Sequence, residues 1–392
     1  MSAIAKPMIS LPPADTDDMR TALDSVPRSV LEHVVDVHCH PTDSDMEMTL
    51  KGAQEMTIRI CAMATRRSDQ RLVAALARAH PDKVIPCFGY HPWFAHWIAV
   101  EPTTSKEAHY RTLFLPPSPP PKPEHVSAFD RLLPFLPDPV PLAEVIVDLN
   151  ENLTAFPNAM LGEVGLDRVC RIPYSHPVDP PYSEFADGED GPRELSPFTI
   201  PLAHQLKVLE AQLDVAVKLR RNVSLHSVKC QQATSELLDH MEAKYPDEWL
   251  KISVDLHSCG LSAQGWRAIS KRHPNAFFSL STAINARSPA HKELIAACAS
   301  DRILVESDFH DIRRSAPYTW HMLRTVAAVK GWAVEDHWDD AAPEDEAQWG
   351  AVRRLEENWK AFERGRHRPH AKRRQRRDRA IEEWEDANED SD

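Results

Sequence analysis

Glycine is scarce in this chain: only 11 of its 392 residues are glycine. No glycine-rich phosphate-binding loop follows the first apolar run, which weakens the alternative of an open, doubly wound nucleotide-binding sheet. No run approaches the ~18 apolar residues of a membrane span, and the amino terminus has no apolar signal-peptide core. The seven cysteines form no CxxC pair, which is typical of reduced thiols in an intracellular protein. We therefore expect a cytoplasmic or nuclear protein that is not secreted and has no membrane partner.

Positive charge is also in deficit. The chain has 46 lysine and arginine residues against 59 aspartate and glutamate residues, for a formal net charge of −13. Residues 366–392 contain equal numbers of basic and acidic residues, so the excess of negative charge belongs to residues 1–365. Because contacts to nucleic-acid phosphates rely on basic surface, tight binding of long DNA is not expected. Short ends, nucleotides or other small phosphoesters remain compatible with this charge.

Short apolar runs recur along the chain, and helix-like segments such as 68–80, 204–220 and 289–300 alternate with them. The eight runs that predict buried strands are 34–38, 58–64, 84–89, 159–164, 223–227, 252–257, 276–282 and 302–306. Near-continuous hydrophobic strands that alternate with amphipathic helices indicate a parallel α/β sheet covered on both faces. Eight such units predict a (β/α)8 barrel of the TIM type, whose active site lies at the carboxyl ends of its strands.

Candidate metal ligands stand at the ends of five of these runs. His38 and His40 end the first run, and their side chains share one face because strand residues i and i+2 do so. Asp36, one pleat behind them, is a candidate to orient an imidazole. The remaining candidates are Glu163, with Asp167 just beyond it, His226, His257 and Asp308. Taken singly, each histidine can be a structural one, but together they predict one site for borderline divalent ions, where a carboxylate can bridge two of them.

Six motifs, in this order, resemble the signature of the TatD-type metal-dependent hydrolases. They are VDVHCH (35–40), GYHPW (89–93), LGEVGLD (161–167), SLHS (224–227), DLHSCG (255–260) and LVESD (304–308). The segment NWKAFERG (358–365) also resembles the closing helix of the family, so the resemblance covers residues 34–365. It implies an amidohydrolase-like barrel and divalent-metal-dependent hydrolysis of phosphodiesters, notably exonuclease activity on DNA.

The resemblance also implies a role for each candidate residue. His38 and His40 would bind one of two divalent ions (magnesium, zinc or manganese), Glu163 would bridge both, and His226 and His257 would complete the coordination of the second ion. Asp308 would bind the first ion and accept the proton of the attacking water, so that Asp308 and Glu163 are the catalytic residues. His91, in the GYHPW motif, would contact a substrate phosphate; the alternative is a histidine held by packing between its neighbours.

Two loops depart from the pattern of bacterial members. Val228 stands two residues after His226, where an arginine is common, and Phe309, His310 and Asp311 follow Asp308, where a proline is usual. The chain is most similar to the fungal branch, some of whose members are described as interacting with the anaphase-promoting complex. The leading interpretation is a hydrolase acting on DNA ends or nucleotides. The alternatives are a weak or inactive barrel that acts as a partner of cell-cycle machinery, and a hydrolase of a small amide or lactone.

The remaining segments outline the organisation of the chain. We expect an amino-terminal arm at 1–33, the barrel at 34–365 with insertions at 101–141, 171–198 and 335–347, and a charged tail at 366–392. The tail has few apolar groups and is expected to be disordered. Its basic block, 366–380, could serve nuclear import, bind nucleic acid or remain a solvated tail.

Overall fold

A computed structural model describes residues 16–182, 194–286, 288–341 and 343–369 of the chain. Eight parallel strands form one sheet in which spatial order follows chain order, and the predicted (β/α)8 barrel is confirmed. The barrel strands are β1 (Val35–Cys39), β2 (Arg59–Met63), β3 (Val84–Phe88), β4 (Met160–Asp167), β5 (Val223–Val228), β6 (Val254–Leu256), β7 (Ala276–Ser281) and β8 (Ile303–Glu306). Each overlaps one of the eight predicted runs. The largest difference is at β4, which continues to Asp167 because that residue pairs with Val228 of β5.

Helices connect and cover the strands. Within the described ranges they are α1 (Thr16–Asp24), α2 (Arg28–Leu31), α3 (Met46–Glu55), α4 (Gln70–Ala79), α5 (Lys106–Phe114), α6 (Pro123–Leu132), α7 (Leu142–Ala155), α8 (Leu202–Leu219), α9 (Gln231–Lys244), α10 (Ala263–Arg272), α11 (Thr282–Asn285), α12 (Ala290–Ala297), α13 (Ile312–Lys330) and α14 (Ala351–Arg364). In α8, Leu209 and Leu213 lie four residues apart on one face. Both are buried in the same hydrophobic cluster as Leu161 of β4. None of the helices in these ranges is long and apolar enough to span a membrane.

The inside of the barrel has an apolar floor and a polar upper layer. At the floor, Val35, Ile85 and Leu304 share a buried cluster with Trp359 and Phe362 of α14. This helix therefore closes the amino-terminal end of the barrel. The buried polar side chains above the floor include His38, Glu163, Ser224, Asp255, Ser279 and Glu306. These polar side chains thus lie on the side of the floor that faces the mouth.

Strands β1 and β8 meet at the mouth through backbone hydrogen bonds. The amide of Asp308 donates to the carbonyl oxygen of His38 at 2.9 Å, and the amide of His40 donates to the carbonyl oxygen of Phe309 at 2.9 Å. Closing a sheet into a barrel requires its first and last strands to come together in this way. Here the closing bonds involve the backbone of three candidate ligands.

Two of the expected insertions pack against each other near the mouth. The 101–141 segment forms α5 and α6, and the described part of 171–198 forms an antiparallel pair, Arg171–Pro173 with Leu195–Thr199. Their buried side chains share one hydrophobic cluster, which includes Phe114, Phe129 and Phe198. Residues 183–193 lie outside the described ranges.

The two ends of the chain contact the barrel within their described parts. In the expected arm, α2 buries Val30 and Leu31 in the main core, while residues 1–15 lie outside the described ranges. In the expected tail, the amide of His367 donates to the carbonyl oxygen of Leu250 at 2.7 Å. The barrel contacts therefore continue past 365, and the expected disorder concerns residues 370–392, which lie outside the described ranges. In the acidic 335–347 segment, Glu335 accepts hydrogen bonds from the amides that begin α14.

Candidate metal centre

The carboxylate of Glu163 lies at the centre of the barrel mouth, and its two oxygens face different histidines. Its Oε1 lies 2.9 Å from His257 Nε2 and 3.0 Å from His226 Nδ1. Its Oε2 lies 3.3 Å from His40 Nε2 and 3.8 Å from His38 Nε2. A carboxylate in this position can donate one oxygen to each of two neighbouring ions.

The first set of donor atoms comes from β1 and from the end of β8. His38 Nε2 and His40 Nε2 are 3.2 Å apart. Asp308 Oδ1 lies 3.5 Å from the His40 nitrogen and 3.8 Å from the His38 nitrogen. The three residues thus offer two imidazole nitrogens and one carboxylate oxygen within a few ångströms of one another.

The second set comes from β5 and from the end of β6. His226 Nδ1 and His257 Nε2 are 3.1 Å apart, and both face Glu163 Oε1. The ring of His257 also stacks on the ring of His38, with centroids 3.8 Å apart. This stacking brings the two donor sets side by side, with Glu163 between them.

The chemistry of both donor sets fits divalent ions. Ligand atoms about 2.0–2.2 Å from a tetrahedral or octahedral ion are separated from one another by about 3.0–3.4 Å, and the distances above lie around that range. Two neutral imidazole nitrogens that face each other at 3.2 Å present lone pairs to each other unless one carries a proton, and a cation satisfies both. A mixed imidazole and carboxylate set suits zinc and manganese and is compatible with magnesium.

Close approach of two strands brings Glu163 and His226 together. Gly165 pairs with His226 across β4 and β5. A Cβ atom at Gly165 would lie 2.0 Å from the carbonyl oxygen of His226. Any larger residue would therefore push the strands apart and separate the two donor groups.

The two candidate carboxylate ligands are both ionised. Burial raises the pKa of Glu163, but the electrostatic influence of the neighbouring imidazoles and hydrogen bonds from His226 and His257 outweigh burial and hold this pKa well below its usual range. Burial likewise raises the pKa of Asp308, but its hydrogen bond with His40 and the neighbouring imidazoles outweigh burial and hold this pKa well below its usual range. Ionised oxygens are the form that binds cations.

His91 lies beside the centre as a hydrogen-bond donor. Its Nδ1 accepts a 3.1 Å hydrogen bond from the amide of Trp93, so Nδ1 carries no proton. Burial lowers the pKa of His91 to about 4, so the ring is neutral near pH 7 and its proton must be on Nε2. That Nε2 lies 3.2 Å from Glu163 Oε1. A protonated Nε2 can donate to a carboxylate or a phosphate oxygen but cannot bind a metal ion.

Asp167 links the centre to the rim of the barrel. Its Oδ2 lies 3.5 Å from His226 Nε2 and accepts a 2.7 Å hydrogen bond from the indole nitrogen of Trp93. Its Oδ1 accepts from the amides of Val169 and Cys170. Burial raises the pKa of Asp167, but the hydrogen bonds from His226 and Trp93 prevail and lower it to about 2. The carboxylate is therefore placed to orient His226.

Asp36 differs from the sequence expectation, which placed it against an imidazole. Its Oδ1 accepts hydrogen bonds from the amides of Ser307, at 2.9 Å, and His38, at 3.3 Å. The hydrogen-bond partner of His38 Nδ1 is Ser224 Oγ of β5, at 2.7 Å. The pairing of β1 with β2 is irregular between Asp36 and Cys39, so the spacing of two residues does not bring Asp36 to the His38 ring, and the hydrogen-bond partner of the ring comes from another strand.

Two buried acids beneath the centre were missed by the sequence reasoning. Asp255 and Glu306 lie two residues before His257 and Asp308, as Asp36 lies two residues before His38. Ser279 Oγ lies 2.7 Å from Asp255 Oδ2 and 2.6 Å from Glu306 Oε2. A hydroxyl has one proton to donate, so one carboxyl group must itself be protonated. Burial and the charge of Glu306 raise the pKa of Asp255 to about 8, which makes Asp255 the protonated partner. The signal was the repeated acid–x–ligand spacing.

Ser258 connects these acids to Asp308. Its Oγ lies 2.7 Å from Glu306 Oε1 and 3.0 Å from Asp308 Oδ2. Both Ser258 and Asp308 have positive φ values, 41° and 49°. Backbone strain of this kind is retained where surrounding structure over-determines it, which is common at functional sites.

Comparison of the sequence with known proteins identifies a family and two relatives. A sequence profile described as TatD related DNase matches residues 35–341. Cut9-interacting protein scn1 of Schizosaccharomyces pombe is 30% identical over 341 residues, which cover 78% of this chain and 95% of that protein. An uncharacterized deoxyribonuclease of Saccharomyces cerevisiae is 27% identical over 290 residues, which cover 71% of this chain and 84% of the relative.

Solved structures share the fold. The crystal structure of an uncharacterized amidohydrolase from Saccharomyces cerevisiae superposes with a TM-score of 0.51 at 14% identity, covering 81% of this chain and 92% of the other. At this identity the likeness concerns the fold alone. The profile match and the two fungal relatives confirm the resemblance that the six motifs predicted. The chain belongs to the TatD related DNase family of metal-dependent hydrolases.

Proposed function

We propose that this chain is a phosphodiesterase that holds two divalent ions and cleaves DNA ends or nucleotides. The observation that carries the proposal is the division of the Glu163 carboxylate, with Oε1 2.9 Å from His257 and Oε2 3.3 Å from His40. In two-ion sites a shared carboxylate fixes the separation of the ions at about 3.5–4 Å, which suits an in-line displacement at phosphorus. His38, His40 and Asp308 would hold one ion, and His226 and His257 the other.

The side chains around the ions would divide the work of the reaction. When bound, the ions supply water activation and neutralise charge that develops on the phosphoryl oxygens. Asp308 is ionised and would accept the proton of the attacking water, while Ser258 holds its second oxygen. His91 would turn its Nε2 proton from Glu163 toward a phosphoryl oxygen. Asp167 would keep His226 in its ligating orientation.

The substrate class rests on charge and on the relatives. One relative is named as a deoxyribonuclease. The net charge of −13 opposes a long polyanion, because phosphate contacts need basic surface. A short single-stranded end or a nucleotide meets less of this repulsion. The departures at Val228, the last residue of β5, and Phe309, which follows β8, lie at the mouth and would affect the choice of substrate rather than ion binding.

Metal analysis combined with hydrolysis assays tests the proposal. The purified chain should contain close to two equivalents of zinc or manganese, or acquire them after dialysis, and should hydrolyse bis(p-nitrophenyl) phosphate and a labelled oligonucleotide. Glu163→Gln should reduce metal content and activity together. An exposed-site control, Glu363→Gln on α14, should reduce neither. Absence of phosphodiester hydrolysis with zinc, manganese and magnesium would overturn the proposal.

A second candidate function is that of a protein partner of cell-cycle machinery. The observation that favours it is the name of the relative that shares 30% identity, Cut9-interacting protein. A partner role would use the outer surface and would not need the donor sets. Affinity purification of the full chain and of Glu163→Gln separates the two: a shared set of bound cell-cycle proteins with no hydrolysis by either would favour the partner role.

A further inference from the structure

The rim beside the candidate metal centre carries an exposed indole that the proposed reaction leaves unused. Trp93 is 39% exposed, and the other large apolar side chains left exposed in the described ranges are Val147, Val169 and Val178. The indole is nevertheless fixed, because its Nε1 donates a 2.7 Å hydrogen bond to Asp167. Its ring also lies 4.8 Å from the ring of His91 at an angle of 80°. A rigid, solvent-facing aromatic ring next to the centre is suited to stacking on a planar group.

The carboxylate of Asp167 also holds the backbone of a second rim residue, Val169. Asp167 Oδ1 accepts a 2.7 Å hydrogen bond from the amide of Val169, whose side chain is 54% exposed. Trp93 and Val169 therefore form one ordered apolar edge around Asp167. Because the edge is held in place before any ligand binds, a ligand that stacks on it loses little entropy in ordering the protein.

Two basic residues extend this edge. Arg168 and Lys229 directly follow β4 and β5, and both are exposed. The amide of Arg168 donates a 3.1 Å hydrogen bond to the carbonyl oxygen of Val228, so the two residues are neighbours across the rim. No ion pair in the described ranges involves either of them.

The backbone at Lys229 is unusual for a lysine. Its φ of 54° lies in the left-handed region, which non-glycine residues other than asparagine and aspartate rarely adopt. Ser258 and Asp308, which follow β6 and β8, share this property with φ values of 41° and 49°. Lys229 thus belongs to a series of strand ends at the mouth where the chain turns sharply. Such conformations concentrate at binding and catalytic sites.

We propose that Trp93, Arg168 and Lys229 form a subsite for the nucleotide next to the reacting phosphodiester. Its base would stack on Trp93, and its outer phosphate would lie between Arg168 and Lys229. The proposal rests on the proposed function and specifies its substrate as the end of a single-stranded oligonucleotide. Stacking surfaces combined with cationic side chains are the general means of binding single strands without sequence preference. On a chain of net charge −13, one cationic pair holds a short anionic segment and not a long one.

Binding measurements test the subsite separately from catalysis. The probe is a fluorescein-labelled, phosphorothioate-linked hexathymidylate, whose linkages resist hydrolysis, and the readout is fluorescence anisotropy on the full-length, metal-loaded chain. Trp93→Leu should weaken binding about ten-fold, since base stacking is of that order. Trp93→Phe keeps a ring and should remain within about three-fold of wild type. An abasic hexamer of equal charge should bind wild type and Trp93→Leu alike.

The basic pair requires a control that matches its charge and backbone. Arg168→Gln/Lys229→Gln should weaken hexathymidylate binding and reduce the slope of log affinity against log salt by about 0.7, the value for one single-strand phosphate contact. Lys218→Gln/Arg220→Gln removes the same charge at the opposite end of the barrel, before β5. Arg220 has a φ of 53°, close to that of Lys229. This control should leave affinity and slope unchanged, and melting curves should show that all variants fold.

Parallel kinetics distinguish failure of the subsite from failure of the proposed function. Hydrolysis of unmodified hexathymidylate should fall at least five-fold more than hydrolysis of bis(p-nitrophenyl) phosphate in the Trp93→Leu and double-glutamine variants. Equal losses on both substrates, or hexamer binding that matches the control variant, would overturn the subsite while leaving the phosphodiesterase standing. If these substitutions weaken binding of the phosphorothioate hexamer but no variant, nor the wild type, hydrolyses either substrate, the proposed phosphodiesterase activity is overturned and the subsite stands.

Discussion

The amide of Asp308 donates a 2.9 Å hydrogen bond to the carbonyl oxygen of His38. This bond joins the last barrel strand to the first, and the side chains of both residues belong to the same donor set, with Oδ1 and Nε2 3.8 Å apart. The contact that closes the barrel therefore also brings together two side chains of the first candidate ion site. An ion that binds both side chains should also stabilise the seam between the two strands.

Chelation should lower the thermal stability of the protein. An ion that binds only the folded state stabilises it by about 2.7 kcal/mol at 100 times its dissociation constant. We expect a fall in melting temperature of several degrees on chelation and its recovery when zinc or manganese is added back. His38→Ala/His40→Ala should abolish the recovery, as followed by circular dichroism. A melting temperature that is independent of chelator and ions would contradict an ion site at the seam.

Asp308→Asn should separate folding from catalysis. The substitution preserves shape but removes the negative charge and the proton acceptor, so hydrolysis of a phosphodiester should fall ~10²-fold or more. Asp301→Asn, at an exposed position before the start of β8, is the control and should retain wild-type rates. Near-wild-type activity of Asp308→Asn with saturating metal ions would rule out its assigned role.

Helix α14 should be essential for stability, although the family profile ends at residue 341. Phe362 is fully buried, and its ring packs against Phe277 with centroids 5.4 Å apart at the barrel floor. Phe362→Ala should lower the free energy of unfolding by about 3–5 kcal/mol, through lost burial and a cavity. The exposed neighbour Glu363→Ala should change it by less than about 0.5 kcal/mol. Denaturant unfolding measures both, and similar values would show that α14 does not support the floor.

Acid should destabilise the fold through a buried histidine away from the centre. Burial lowers the pKa of His96 to about 3, whereas the unfolded chain has a histidine pKa of about 6.5. The unfolded state therefore binds more protons between these values, and stability is lost as pH falls through that window. Protonation of His96 in the unfolded chain should make the free energy of unfolding about 2 kcal/mol lower at pH 5 than at pH 7. His96→Gln should flatten the pH dependence of the unfolding free energy, and an unchanged slope would exclude His96 as its source.

Deleting residues 370–392 should leave the barrel intact. The last described backbone contacts to the barrel, those of Arg366 and His367, remain in such a variant. The melting temperature and the hydrolysis of bis(p-nitrophenyl) phosphate should be unchanged. If the basic block serves nuclear import, a fluorescent fusion should shift from nucleus to cytoplasm. If the basic block binds DNA, the deletion should instead reduce the salt dependence of binding to long strands. A drop in melting temperature of several degrees would show that this segment docks on the barrel.

The strands and the residues at their ends were predictable from sequence because both signals are local. A buried parallel strand reads as a continuous apolar run, and residue spacing within it fixes which side chains share a face. His38 and His40 could therefore be placed side by side from their i, i+2 spacing alone. The repeated acid two residues before a ligand carried the same information for Asp255 and Glu306, and it was available without the structure.

The chain order of eight apolar runs thus determined the barrel and the rim on which the candidate ligands lie, and the six motifs determined the family resemblance. Tertiary structure alone decided that the two oxygens of Glu163 face different histidines, that Ser224 and not Asp36 is the hydrogen-bond partner of His38 Nδ1, and that Trp93 is anchored to Asp167. Each of these contacts joins different strands or loops. Their geometry depends on strand stagger and side-chain rotamers, which are set when distant segments pack together and leave no periodic trace in the sequence.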